Sequence, residues 1–180
     1  MLAPMAEARY AKRVMHGPDD LLEMVADVER YPEFVDLISE LRVTRREERS
    51  ATHTAFEAEA VVSYKMINEI FASKVDVLRD QHKIVVSKSD RGGAVKSLLN
   101  EWVFHPLPDG STLVEFFVAV KLKAFFLDGL LAQKFESAAT QIMDKFEAQA
   151  DRLYAKVGSD NYNASADIAR LGLQSAVQMA

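Results

Sequence analysis

The chain has 180 residues, with 22 Lys and Arg against 27 Asp and Glu, a formal charge of −5 and 49% hydrophobic residues. That length suits one domain with a substantial core. The acidic balance argues against a broad electrostatic footprint for DNA or RNA, and the absence of cysteine excludes disulfides, thiolate chemistry and cysteine-ligated metals. No apolar run approaches the roughly 18 residues that suggest a membrane span. The start, MLAPMAEARYAKR, has no signal-peptide core. The expectation is a soluble cytoplasmic protein.

Arg9–His16 reads as a first strand. Gly17-Pro18-Asp19-Asp20 breaks it and opens a helix with Pro and acids in its first turn. Leu21, Leu22, Met24, Val25 and Val28 supply the apolar side. In DVERYPEFV, Pro32 removes an amide donor and disfavours helix at Tyr31, so a kink or second short helix is expected to begin there. Alternation then takes over. Leu41 and Val43 mark a second strand, and Phe56, Ala58, Ala60, Val62 and Tyr64 a third with one dry face. Phe71, Val75 and Val77 continue the pattern. Ile84–Ser89 is a short strand ended by a turn at Arg91-Gly92-Gly93. Leu98–Phe104 carries the only tryptophan, Trp102, and Pro106–Gly110 connects it to a last strand faced by Val114, Phe116, Val118, Val120 and Leu122.

The period then changes to three and four. Leu127, Leu131, Phe135, Ala138, Ala139, Ile142, Phe146 and Leu153 predict a long amphipathic helix reaching about Lys156. Asp128 is the expected N-cap and Gly158 the C-terminal stop. Residues 1–158 are expected to form the domain, and 159–180 a flexible or weakly helical tail. Consecutive strands with short connections favour an antiparallel sheet whose dry face needs the long helix as cover. The fold class is therefore α+β, a curved antiparallel sheet around a C-terminal helix. Ala132, Ala138 and Ala139 on that helix suit either a cavity or close packing.

Motifs of catalysis are mostly absent. His16, His53, His82 and His105 are scattered and read as surface or strand-end residues, so no metal site is expected. Glu101 and Glu115 would face solvent if Trp102, Phe104, Val114 and Phe116 take the dry face. Arg42, Arg45, Arg46 and Arg49 read as a solvated strand end, with a ribosome or RNA contact as the alternative. In KAFFLDGLL, Phe125-Phe126-Leu127 cannot all be buried by one face. Beside Lys121 and Lys123 they make a greasy tip suited to an anionic membrane surface, or else they pack beneath the N-terminal helices. Met66-Ile67 offers a second tip.

Four segments, DVERYPEFV, EAVVSYKMINEIFASKV, LNEWVFHPLPDGSTLVEFFVAVKL and the FFLDGLL helix entry, occur in that order between Arg9 and Tyr154. Together they closely resemble the coenzyme Q-binding protein family of the START-like superfamily, whose relatives include ribosome-association toxins and polyketide cyclase-like proteins. The resemblance implies a helix-grip fold with a hydrophobic tunnel between sheet and helix. It further implies a ubiquinone or related polyprenyl ligand, a chaperone or carrier role in respiratory electron transfer, peripheral contact with the inner membrane, and no metal or other cofactor. Under this reading Tyr31, Pro32 and Phe34 stand at one lip and Phe125 and Phe126 at the other. From the alternation, Phe56, Val62, Tyr64, Phe71, Trp102, Phe104, Phe116 and Val118 line the sheet side, and Leu131, Phe135, Ala138, Ala139 and Ile142 the helix side. A ribosome-associated regulator and a cyclase-type enzyme are the alternatives. DNA is not an expected partner.

Overall fold

The alternating segments form seven antiparallel strands. The computed structural model describes residues 6–64, 67–93, 95–123 and 125–173, with the backbone alone at 64, 67, 92 and 125–136. Strands β1 (Ala6–Val14), β2 (Ile38–Glu48), β3 (His53–Tyr64), β4 (Ile67–Leu78), β5 (Lys83–Gly93), β6 (Val95–Pro106) and β7 (Thr112–Leu122) make one sheet in the order β1-β7-β6-β5-β4-β3-β2. From β2 onward each strand pairs with the next, and β1 closes the sheet on the last, with Tyr10 opposite Phe116.

Because β1 and β2 lie at opposite edges, the chain between them must cross the whole sheet. Helix α1 (Pro18–Ala26) and a 3-10 segment (Val28–Glu33) make that crossing. Gly17 precedes α1, Pro18 opens it where a missing N–H costs nothing, and Asp19 and Asp20 sit at its positive end. Leu21, Leu22, Met24, Val25 and Ala26 are buried against the sheet. The short helix expected at Pro32 begins earlier, at Val28, and runs through the proline to Glu33. The Tyr31 carbonyl accepts from the amides of Phe34 and Val35 and closes the segment.

Helix α2 (Phe125–Leu153) has 29 residues, about 43 Å at 1.5 Å per residue. Ala139, Met143, Phe146 and Ala150 are buried, and this three- and four-residue spacing puts them on one stripe facing the sheet. The expected N-cap is a correction: α2 starts at Phe125, so Asp128 lies inside the first turn. The helix ends at Leu153, three residues short of Lys156.

Strand β5 continues to Gly93 instead of turning at Arg91. Gly93 pairs with Phe71 at φ 97°, and a Cβ there would lie 2.6 Å from the Ile70 carbonyl oxygen, a closeness only glycine allows. Strand β2 forms a sheet edge. Its register slips between Thr44 and Glu47 through a bulge in which Arg45 takes a φ of 52°.

Beyond α2 the chain folds back onto the outer face of β1 and β7. Asp109, in the β6–β7 turn, accepts hydrogen bonds from the Ser159 amide (2.9 Å), Arg13 Nη2 (2.5 Å), and the Ser111 amide (3.1 Å) and hydroxyl (2.6 Å). Burial opposes ionisation of this carboxyl, but hydrogen bonds from Ser111, Ser159 and Arg13 overcome it and hold it well below the usual carboxylate range. Gly158 enters this clasp at φ 99°. The tail carries a short helix, α3 (Ser165–Arg170), and Tyr162, Ile168, Leu171 and Leu173 pack on Ala11, Leu107 and Leu113.

Candidate ligand-binding site

Directly paired residues of antiparallel strands share a face. The pairs Tyr10–Phe116, Phe116–Trp102, Trp102–Ile84, Ile84–Val77 and Val75–Phe56 therefore put these side chains on the face that α2 covers. Phe56, Trp102, Phe104 and Phe116 are buried as the alternation requires. A chain of rings crosses the space. Tyr10 lies 5.3 Å from Phe116, Phe116 4.7 Å from Trp102, and Trp102 5.0 Å from Phe146, which meets Tyr31 at 5.0 Å and Phe34 at 5.1 Å. Phe146 on α2 is thus the hub. Tyr31 and Phe34, expected at a rim, converge on it and are half-buried, as is Pro32.

On the α1 side of this aromatic partition the interior next to Trp102 and Phe104 is nearly filled. Only about 10 Å³ remains among Val14, Leu21, Met24, Trp102, Phe104 and Met143. On the other side Val86, Val118 and Ile142 are only partly buried against the core, and Val62 and Ala138 are likewise half-exposed. Ala139 is buried, and its carbonyl accepts the Tyr10 hydroxyl at 2.5 Å. Phe71 joins a separate cluster with Val95, Leu98, Val120 and Leu122 at the far end of the same face. The expected positions Phe125, Phe126, Leu131 and Phe135 fall in the helical first half of α2, and their side chains, with that of Tyr64, lie outside the described residues; so does Met66.

Asn100 brings polarity to this otherwise apolar wall. It pairs with Val118 and Val86, so it shares their face. Its Nδ2 donates to the Phe117 carbonyl at 2.8 Å and its Oδ1 accepts from Trp102 Nε1 at 3.0 Å. One N–H and one lone pair remain for a ligand. Burial, and secondarily a nearby aspartate, raise the hydroxyl pKa values of Tyr10 and Tyr31 well above the usual tyrosine range, so both remain neutral donors. The Tyr31 hydroxyl donates to the Val25 carbonyl. Sequence reasoning missed Tyr10, Phe146 and Asn100 as site residues. Asn100 stands two positions before Trp102 on β6, a spacing that was available as a signal.

The remaining candidates resolve differently. Glu115 lies on the outer face, 2.8 Å from His105 Nε2 and 3.4 Å from Arg9, and Glu101 is there too, 3.4 Å from Lys83. His53 and His82 likewise stand against Asp76 (2.8 Å) and Asp19 (3.2 Å). His16 corrects the surface reading. It is 1% exposed, with Nε2 2.8 Å from Asp151 at the end of α2. Three of the four arginines of the basic stretch are paired: Arg42 with Glu59 (2.7 Å) and Arg45 with Glu57 (3.5 Å) across the β2–β3 pair, and Arg49 with its near neighbour Glu47 (3.5 Å), whereas Arg46 lies over the Phe56 ring. Among the described residues no group of three metal-ligating side chains comes together, and no helix is long and apolar enough to cross a membrane.

Residues 14–147 match the family model described as polyketide cyclase / dehydrase and lipid transport. The chain is 24% identical over 147 residues to ribosome association toxin RatA of Rickettsia prowazekii, covering 81% of this chain and 97% of that protein. It is 26% identical over 148 residues to the mitochondrial coenzyme Q-binding protein COQ10 of Drosophila melanogaster, covering 79% of this chain and 58% of that one. Among solved structures, the 18 kDa protein CC1736 of Caulobacter crescentus is 33% identical at a TM-score of 0.67, covering 82% of this chain and 97% of its own. The sheet gripping a single long helix is the helix-grip arrangement of START-like proteins.

Proposed function

The chain belongs to the polyketide cyclase / dehydrase and lipid transport family, and from that premise we propose that it binds a polyprenyl quinone, ubiquinone or a near relative, between the curved sheet and α2. The observation that carries this reading is the contrast along the concave face. Behind the aromatic partition the space among Leu21, Met24, Trp102, Phe104 and Met143 is nearly filled, whereas Val62, Val86, Val118, Ala138 and Ile142 keep accessible apolar surface on the sheet face and on α2. Apolar contact there holds a prenyl tail at roughly 0.8 kcal/mol per buried methylene. Asn100 supplies a polar group to orient a head group. The relative named for coenzyme Q binding supports the choice of ligand.

A domain of this size has a radius of gyration of about 15 Å. A long tail therefore folds back or protrudes, and protrusion calls for a mouth at a membrane surface. The N-terminal turn of α2, with Phe125, Phe126 and Leu127, is the mouth we assign, with the protein resting on the inner membrane as a quinone carrier or chaperone for respiration. The fold performs this role by binding; no chemical step is part of the proposal. Ribosome association, which the RatA relative favours, would need a surface other than Arg42–Arg49, where Arg42, Arg45 and Arg49 are paired with glutamates.

Mass spectrometry of an organic extract from protein purified without detergent tests the reading. A copurified isoprenoid quinone is expected, and short-tail quinone should bind the extracted protein. Phe126→Asp should lower vesicle association and quinone uptake while leaving the fold intact. Protein that neither carries nor binds any isoprenoid overturns the proposal.

A further inference from the structure

A second opening lies on the far side of the aromatic partition from the assigned mouth. It is a cleft of about 450 Å³ between α1, the 3-10 segment, the β2–β4 strands and the end of α2, a size that suits a small organic ligand. Its floor is apolar, with Met24, Ala26, Phe56 and Val77 all buried. Its walls carry three guanidiniums, of Arg30, Arg46 and Arg79, against two carboxylates, of Glu23 and Asp27.

These charges are not equally committed. Arg79 is fixed: Nε donates to Glu23 at 2.6 Å, Nη2 to the same carboxylate at 3.3 Å, and Nη1 to the Thr54 hydroxyl at 2.8 Å. Thr54 is itself 1% exposed and donates to Glu48 at 2.6 Å. Arg79 thus presents its remaining donors in a set direction, with Glu23 already spent on it. Arg30 turns to Glu33. Arg46 lies 5.0 Å over the Phe56 ring and has no carboxylate partner among the described residues. Thr54 and Phe56 stand two positions apart on one face of β3, about 7 Å. A held guanidinium, on Thr54, and an uncommitted one, over Phe56, therefore line the same apolar-floored cleft.

We propose that this cleft binds an amphipathic oxyanion, a carboxylate or phosphate on an apolar body, at a site separate from the quinone space. The anion sits between Arg46 and Arg79, and the apolar body lies along Met24, Ala26 and Val77. The packed interior around Trp102 and Phe104 divides the two sites, so both fill independently.

The test is titration of the full-length protein with dodecanoate, dodecyl phosphate and dodecanol, followed by calorimetry and by amide chemical shifts. Dodecanoate or dodecyl phosphate should move the amides of Thr54, Phe56 and Arg79, and dodecanol should bind at least about 10-fold more weakly. Preference for the phosphate marks a phospholipid-like ligand and preference for the carboxylate a free acid; either supports the site. Arg46→Met should weaken the anions about 10-fold, and Arg46→Lys should recover part of that loss. Raising salt should weaken anion binding to the natural protein more steeply than to Arg46→Met, which keeps Arg79 alone on the anion. Saturating short-tail quinone should leave anion affinity unchanged. Equal binding of alcohol and anions, absence of shifts in the cleft, or competition with quinone each overturns the proposal.

Discussion

Removing the ring of Phe146 probes the partition most directly. Its side chain is 5% exposed and meets Trp102, Tyr31 and Phe34 with centroids 5.0–5.1 Å away. Truncation of such a ring to alanine typically costs about 3–5 kcal/mol, the lost transfer energy plus a cavity term. For a chain of this length each kcal/mol lowers Tm by about 2–4 °C. Phe146→Ala should therefore melt roughly 6–20 °C lower, and it stays folded if the starting stability lies above about 7 kcal/mol within the usual range of about 5–15 kcal/mol. The void would join the existing 10 Å³ gap beside Met143 and Trp102. Being apolar it should stay dry and bind a small aromatic, so benzene should recover part of the lost Tm in calorimetry. Quinone analogues with longer tails should gain affinity relative to short ones as the stop is removed. A Tm drop below about 3 °C, with no benzene effect, would refute the assignment of Phe146 as the hub.

Three further outcomes follow from named contacts. Asn100→Leu leaves the buried Trp102 indole N–H without its acceptor; it should cost about 1–3 kcal/mol, read by thermal unfolding, and should weaken quinone binding. The depressed Asp109 carboxyl makes tail docking pH-dependent. Its contribution is complete above the unfolded-state value of about 4 and is lost as pH falls through the lower folded value, so the Ser159 amide resonance should shift in acid and Asp109→Asn should abolish that step. Gly158→Ala combines a left-handed backbone with a Cβ 2.6 Å from Asp109 Oδ2. It should cost about 1–2 kcal/mol and open 159–173 to protease while the Trp102 fluorescence of the core stays unchanged.

All seven strands were legible in the sequence, and period-two alternation marked β2, β3, β4 and β7, where apolar residues take every second position. Gly17-Pro18-Asp19-Asp20 likewise announced α1 through backbone chemistry that acts locally. Boundaries failed where local chemistry was outvoted. Asp128-Gly129 has the look of a helix start, yet α2 is already helical at Phe125. Gly92-Gly93 has the look of a turn, yet Gly93 is in strand because it passes close to Ile70. The site was legible only in part for the same reason. The alternation identified Trp102, Phe104 and Phe116, but the partition depends on Phe146 meeting Tyr31 and Phe34, more than a hundred residues earlier in the chain. His16 looked superficial because its partner, Asp151, is 135 positions away. The ion pairing of Arg42 and Arg45 becomes visible only once β3 delivers Glu59 and Glu57 across the register.

The slip at Arg45 has a bearing on how such a protein survives in a crowded cell. An edge strand with regular amides invites a neighbour's strand, and a protein that takes up a greasy guest, as proposed above, would be most vulnerable while the guest enters. The left-handed residue interrupts the ladder of free donors, and the charges on β2 make the strand a poor template. Straightening that edge, by deleting one residue of the irregular stretch, would expose a continuous row for docking, and the expected cost is fibre formation instead of lost affinity for the guest.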